Sequence, residues 1–277
     1  GFISAVICPP FDNQPEFEIW NGIHIFRPKS LYRIPLLDKI LFYTCFFSFS
    51  WRASLKDVNS SFAPGCVHIH DIWLARTALS VFKNSKVVVD LHENMPGAVL
   101  QFRRGYTGFQ SLFRRFFHSY RRILSYERNI ILCADIILVV VREAYDRVLR
   151  QHPMLSNSKV HVVENLESRH FSDNAETSFN FNISTDQFAI IYIGGVTPER
   201  GLDTVIQALS HLKSLCLPIK FYIVGADDSS YVLNLKELVS ELLLTDTVIF
   251  TPWIPFAQVS QVIRSSALCT VPHRSNA

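Results

Sequence analysis

The run "FAIIYIGGVTPERGLDTVIQALSHL" (residues 188–212) ends an apolar strand at Gly194-Gly195, carries Arg200 in a short loop, and enters a helical pattern near Leu202. Two glycines let the backbone approach a bulky anion, and a helix N-terminus offers N–H groups and partial positive charge. Arg200 adds a planar, permanently charged fork suited to a diphosphate. Two readings stand: a diphosphate seat, or a plain strand-to-helix turn with a solvated arginine. The spacing is not G-x-G-x-x-G, so a nicotinamide-binding reading gains little. "FYIVGADDSSYVLNLKEL" (221–238) repeats the design, with Gly225 after the strand and Asp228 or Ser229 placed to cap the next helix.

Outward from these two units the alternation continues. Short, near-continuously apolar runs lie at 66–70, 86–92, 135–141, 159–165, 247–251 and 267–272, as expected of strands covered on both faces. Helical patterns fall at 109–133, 142–151, 230–244 and 256–265. Strand then helix, repeated, means parallel sheets with crossover helices, so the fold class is α/β with two doubly wound, Rossmann-like domains. The polar stretch 166–187 lacks either period and reads as a linker between a domain over 1–165 and a second over 188–277. Two such domains are expected to leave a cleft facing the carboxyl ends of both sheets.

Of the 277 residues, 48% are hydrophobic and 18% charged, which requires a folded, core-rich protein. The net charge of +3 makes no case for nucleic acid. Cysteines 8, 45, 66, 133, 216 and 269 are scattered singly, which fits reduced thiols in a cytoplasmic protein. The greasiest stretch, Ile40 to Trp51, is too short to span a bilayer. The chain starts at Gly1 in an apolar segment and stops just past another, so a fragment lacking both ends is expected, with the first strand of one domain and the end of the other missing.

"VVVDLHENMPGAV" (87–99) leaves an apolar run at Asp90, His92, Glu93 and Asn94, groups that suit a cleft better than a core. Asp90 and Glu93 could orient His92 or bind hydroxyls. Residues three apart on a strand end are poorly spaced for a glycosidase acid–base pair. His68 and His70, two apart on "CVHIH", share one face of a strand, but the sequence offers no third metal ligand, and no metal is expected.

Taken in order, "VHIHDIW" (67–73), "VVVDLHENMP" (87–96), "ADIILVVVREAYDRVL" (134–149), "YIGGVTPERGLDTVIQAL" (192–209) and "VIFTPWIP" (248–255) resemble the retaining, nucleotide-sugar-dependent glycosyltransferases of the GT-B fold, family 4. The resemblance implies transfer of a sugar from a nucleoside diphosphate to a glycan or lipid-linked acceptor, in surface polysaccharide synthesis, with no cofactor. It implies that Gly194, Gly195, Arg200 and Gly225 bind the donor and that Trp253 and Ile254 lie against the base. It sets His92 beside the transferred sugar as the catalytic residue, with His70, Asp71, Glu93 and Asn94 on the acceptor side. This sequence departs from the family at Gly195, where many members carry arginine, and at Pro252, where most have glycine. The family's paired glutamates would lie beyond the last residue. The same fold also serves nucleotide-sugar 2-epimerases, and a non-catalytic nucleotide-sugar or membrane-binding module is the alternative from another class.

Residues 101–128 hold seven arginines and one glutamate. Projected at 100° per residue, Phe109, Phe113, Phe116, Phe117 and Tyr120 share an apolar face, and Arg114, Arg115, Arg121 and Arg122 lie opposite. The basic face is either solvated or drawn to anionic lipid headgroups at the inner face of the membrane. Glu127 falls on the apolar face and is expected to be a paired structural acid.

Overall fold

The computed structural model describes residues 2–11, 14–102, 116–167, 171, 183–184, 186–215 and 217–274. The chain forms two compact units, Gly1–Asn165 and Leu166–Ala277.

The first unit opens with a small sheet of β1 (Ser4–Ile7), β2 (Phe17–Trp20) and β3 (Ile23–Phe26), ordered β1-β3-β2. β2 and β3 are antiparallel around Asn21-Gly22, whose φ values of 51° and 80° give the two-residue turn that matches strand twist. The greasy stretch then divides between two helices. α1 (Leu36–Cys45) stops where Phe46 turns left-handed at φ 54°, and α2 (Phe49–Phe62) starts at once. Buried Asp38 sets that corner by accepting from Ser48 Oγ (2.9 Å), Phe49 N (2.7 Å) and Ser50 N (2.8 Å). Burial works to raise its pKa, but the bonds from Ser50, Phe49 and Ser48 outweigh it and leave the carboxyl below its ordinary value.

The main sheet of this unit is parallel: β4 (Cys66–His70), β5 (Lys86–Leu91), β6 (Ile136–Val139) and β7 (Val160–Val162), in that order. Helices α3 (Ala75–Leu79), α4 (Met95–Phe102), α5 (Tyr120–Cys133) and α6 (Arg142–Gln151) connect the strands. Along β5, Val87, Val89 and Leu91 are buried with Ile123, Ile130, Ile131 and Val148, whereas Val88 and Asp90 are only half-buried. The expectation of strands covered equally on both faces therefore fails for β4 and β5.

The expected helix over 109–133 also differs. Among the described residues it is interrupted at His118-Ser119 before α5 begins, so one helical projection does not carry across the break. Phe116, expected inside, is exposed, and Arg122, expected outside, turns inward. Glu127 is fully buried and paired with Arg147 at 2.8 Å, with His152 Nε2 at 3.4 Å.

In the second unit β8 (Phe188–Ile193), β9 (Ile219–Val224), β10 (Val248–Thr251) and β11 (Leu268–Cys269) form a parallel sheet ordered β10-β9-β8-β11. α7 (Leu202–Leu212), α8 (Ser230–Glu241) and α9 (Phe256–Arg264) cross between them. Separate apolar clusters, one around Leu202, Ile206 and Leu235 and one around Ala189, Ile191 and Val262, cover the two faces, which explains the unbroken apolar runs. Ser229 caps α8 by accepting from Val232 N. Strand order reverses between β8 and β11, and the crevice at such a reversal is where open α/β sheets bind ligands.

Among the described residues no helix is long and apolar enough to cross a membrane, and Cys8, Cys45, Cys66, Cys133 and Cys269 carry free thiols.

Candidate functional site

Gly194 and Gly195 leave β8 at the reversal point. Gly225, at φ 106°, packs so closely on this loop that a Cβ there would lie 2.4 Å from Gly194 O. Its contribution is thus to let the ends of β8 and β9 meet backbone to backbone. A Cβ on Gly195 would meet nothing within 4 Å, so this position faces open space. Tyr192, which the sequence reading passed over, donates its hydroxyl to Gly195 O at 2.7 Å and so anchors the loop from the core. Burial raises the Tyr192 pKa, opposed by the charge of Arg200.

Past the loop, a short turn at Pro198–Arg200 delivers the chain to Gly201, the left-handed residue that starts α7 with no side-chain cap. The helix start therefore keeps backbone N–H groups and partial positive charge that no side chain of the cap residue satisfies. The segment after β11 lies against this turn: a Cβ on Gly201 would be 2.2 Å from Pro272 O, and Arg274 N donates to Glu199 O at 3.1 Å. Arg200 bonds to His273 Nε2, and Arg274 pairs with Asp203 in the first turn of α7. Three basic groups therefore gather where Arg200 alone was foreseen. The sequence held a signal for the other two, a His-Arg pair just after the strand that flanks β8.

At the end of β10, Thr251 O accepts from Gly225 N (2.9 Å) and Ala226 N (3.0 Å), tying that loop to the segment of Trp253 and Ile254. Trp253 is exposed, and Ile254 packs on the Ala189 cluster.

In the first unit the strand ends bring His70, Asp71, Asp90 and His92 together. Asp71 turns left-handed at φ 57° and accepts from His92 N at 3.2 Å. His92 is half-buried; its Nε2 lies 2.8 Å from Asp90 Oδ2, and its Nδ1 is 3.1 Å from Asn165 Nδ2. An amide nitrogen only donates, so Nδ1 accepts and Nε2 carries the proton to Asp90. His70 lies against His92 with ring centroids 4.1 Å apart. Glu93 is exposed at the loop tip, while Asn94 accepts from Gly97 N at 3.3 Å and starts α4. That bond explains Asn94 as a helix-starting residue.

Two expectations need correction. His68 and His70 do have a third potential ligand, because His70 pairs in register with Asp90 and one donor atom from each of the three residues lies within 4.8 Å of the others. Arg122 does not belong to an outward basic face: it bonds to Thr44 O and lies over the rings of Phe46 (5.7 Å) and Phe117 (5.4 Å). Arg121 is exposed, and Arg114 and Arg115 lie outside the described residues.

Comparison with solved structures supports the architecture. Sucrose-phosphate synthase from Thermosynechococcus elongatus matches 99% of this chain with a TM-score of 0.72 at 17% identity, over 66% of its own length. A glycosyltransferase from Rickettsia africae matches 86% of this chain at TM-score 0.57 and 15% identity, over 57% of its length. Anabaena HepE matches 91% at TM-score 0.58 and 13% identity, over 61% of its length. This chain thus spans about 57 to 66% of these three proteins. At such identities the likeness establishes the GT-B fold alone. A search of curated proteins gave no match. The family described as "Glycosyl transferases group 1" matches residues 173–277, and the one described as "Glycosyltransferase Family 4" matches residues 1–166. The second match spans more than half of the sequence, and the chain belongs to glycosyltransferase family 4.

Proposed function

We propose that this chain transfers a sugar from a nucleoside diphosphate sugar to a glycan or lipid-linked acceptor, with retention at the anomeric carbon. The observation that carries the reading is the crowding of the β8–β11 reversal point with groups suited to a diphosphate. These are two glycines, the uncapped start of α7, and Arg200 with His273 and Arg274 beside it. As the bond from sugar to diphosphate breaks, negative charge grows on the departing phosphate. Preorganised N–H groups and a guanidinium stabilise that charge without a metal in the transfer step. Anabaena HepE has been solved with UDP and with UDP-glucose, which supports a nucleoside diphosphate sugar as the donor class.

In this reading His92 attends the transferred sugar. Its proton is held on Nε2 by Asp90, so Nδ1 is the lone pair that a sugar hydroxyl can engage in place of Asn165. The acceptor side comprises His70, Asp71 and Glu93. Peripheral contact with an anionic membrane at its cytoplasmic face is supported by exposed Leu36, Leu37 and Ile40 on α1 and Phe49 at the start of α2, with Arg121 on α5.

Calorimetric titration with UDP, GDP and ADP tests the donor seat. One of the three should bind, and Arg200→Ala should weaken it by about 10- to 100-fold, the worth of a charge-assisted bond. No binding of any nucleotide would defeat the reading. With a nucleotide sugar supplied, release of nucleoside diphosphate without a glycan product would point to the epimerase instead.

A further inference from the structure

Strands β4 and β5 present an unusual set of donors on one face. His68 and His70 flank buried Ile69, and Asp90 and His92 flank buried Leu91. Side chains two apart on a strand share a face, and the parallel register sets His70 opposite Asp90, so all four side chains come to one side of the pair. Asp90 Oδ2 is approached by His68 Nε2 at 3.1 Å and by His92 Nε2 at 2.8 Å, and His70 stacks on His92.

We infer that His68, His70 and Asp90 form a binding site for a transition-metal dication of the zinc type. Zinc bonds of about 2.1 Å to nitrogen and oxygen make a tetrahedron with edges of about 3.4 Å. The three donors, now within 4.8 Å of one another, reach that size by small side-chain rotations. His68 has that freedom, since its side chain is 52% exposed, and the same opening admits an ion from solvent. Imidazoles with one carboxylate select zinc, cobalt, nickel or copper over magnesium and calcium, which take all-oxygen sets. Occupancy would draw Asp90 away from His92 Nε2.

The inference rests on the first unit alone, and its titration uses no nucleotide or sugar. The untagged full chain, stripped with chelator, is titrated with Zn²⁺ near neutral pH by calorimetry and with Co²⁺ by visible absorption. One equivalent should bind and release protons, and Co²⁺ should show the d–d bands of a four-coordinate site. Binding should weaken as pH falls, because protons compete with the metal for its ligands. His68→Ala and His70→Ala, both at exposed positions, should each weaken binding at least about tenfold. His211→Ala, on α7, should not. Failure of the wild-type chain to bind one equivalent would overturn the inference. So would affinity unchanged in both His68→Ala and His70→Ala, since the metal would then sit on other histidines.

Discussion

Gly225 and Gly195 look alike in sequence, each closing a strand of the same sheet, yet they stand in opposite environments. At Gly225 an added methyl would meet the Gly194 carbonyl at 2.4 Å with the backbone at φ 106°. Gly225→Ala should therefore destabilise the chain by about 3 kcal/mol, the combined scale of backbone strain and overpacking. Gly195→Ala, facing open space, should leave the urea midpoint almost unchanged. A similar midpoint for both variants would contradict the packing described. Tyr126 offers a second test. It is buried against Phe46, donates to Ile72 O at 2.8 Å, and burial pushes its pKa up to about 12. A group whose folded pKa is raised keeps its stabilisation below the unfolded value and loses it as pH rises through the folded one. Stability should thus fall between about pH 10 and pH 12, by on the order of 2 kcal/mol. Tyr126→Phe, though less stable at neutral pH, should lack that part of the alkaline fall.

At the scale of elements, α5 shows how one helical turn redistributes function. Arg121 and Arg122 are neighbours in sequence, but only Arg121 reaches solvent, while Arg122 bonds to the last turn of α1 and covers two aromatic rings. Arg122→Ala should cost about 1 to 2 kcal/mol of stability, read by thermal denaturation, from lost packing and a lost charge-assisted bond. Arg121→Ala should leave stability within about 0.5 kcal/mol, as exposed substitutions generally do. Arg121→Glu should lower recovery with anionic vesicles at low salt, and an equal recovery with neutral vesicles would remove the membrane reading. Asp38 does a comparable service for the α1–α2 corner: it holds two helix ends together through three bonds that a neutral side chain could not all accept.

For the whole molecule, each unit has its own parallel sheet and its own apolar clusters. A unit that buries a core of its own meets the main condition for folding alone. Residues 1–165 and 166–277, expressed separately, should each unfold cooperatively. The second should retain affinity for the nucleotide that the whole chain binds, because Gly194, Arg200, His273 and Arg274 all lie within it. Loss of cooperative unfolding in either piece would show that the cores are not self-sufficient.

The strand-and-helix alternation from residue 66 onward was legible in the sequence because burial enforces it locally. Runs such as "FAIIYI" have few other ways to hide both faces, and Ser229 marks a helix start by backbone chemistry. The glycine pair and Arg200 were legible for the same reason, as groups close together along the chain. Other features depended on residues far apart in sequence. Only β4–β5 register makes Asp90 a partner of His68, only the return of the chain after β11 brings His273 and Arg274 to Arg200, and only the break at His118-Ser119 turns Arg122 inward. Local periodicity reports which side of an element prefers water, whereas the partner on the other side is chosen by tertiary packing, which no single stretch encodes.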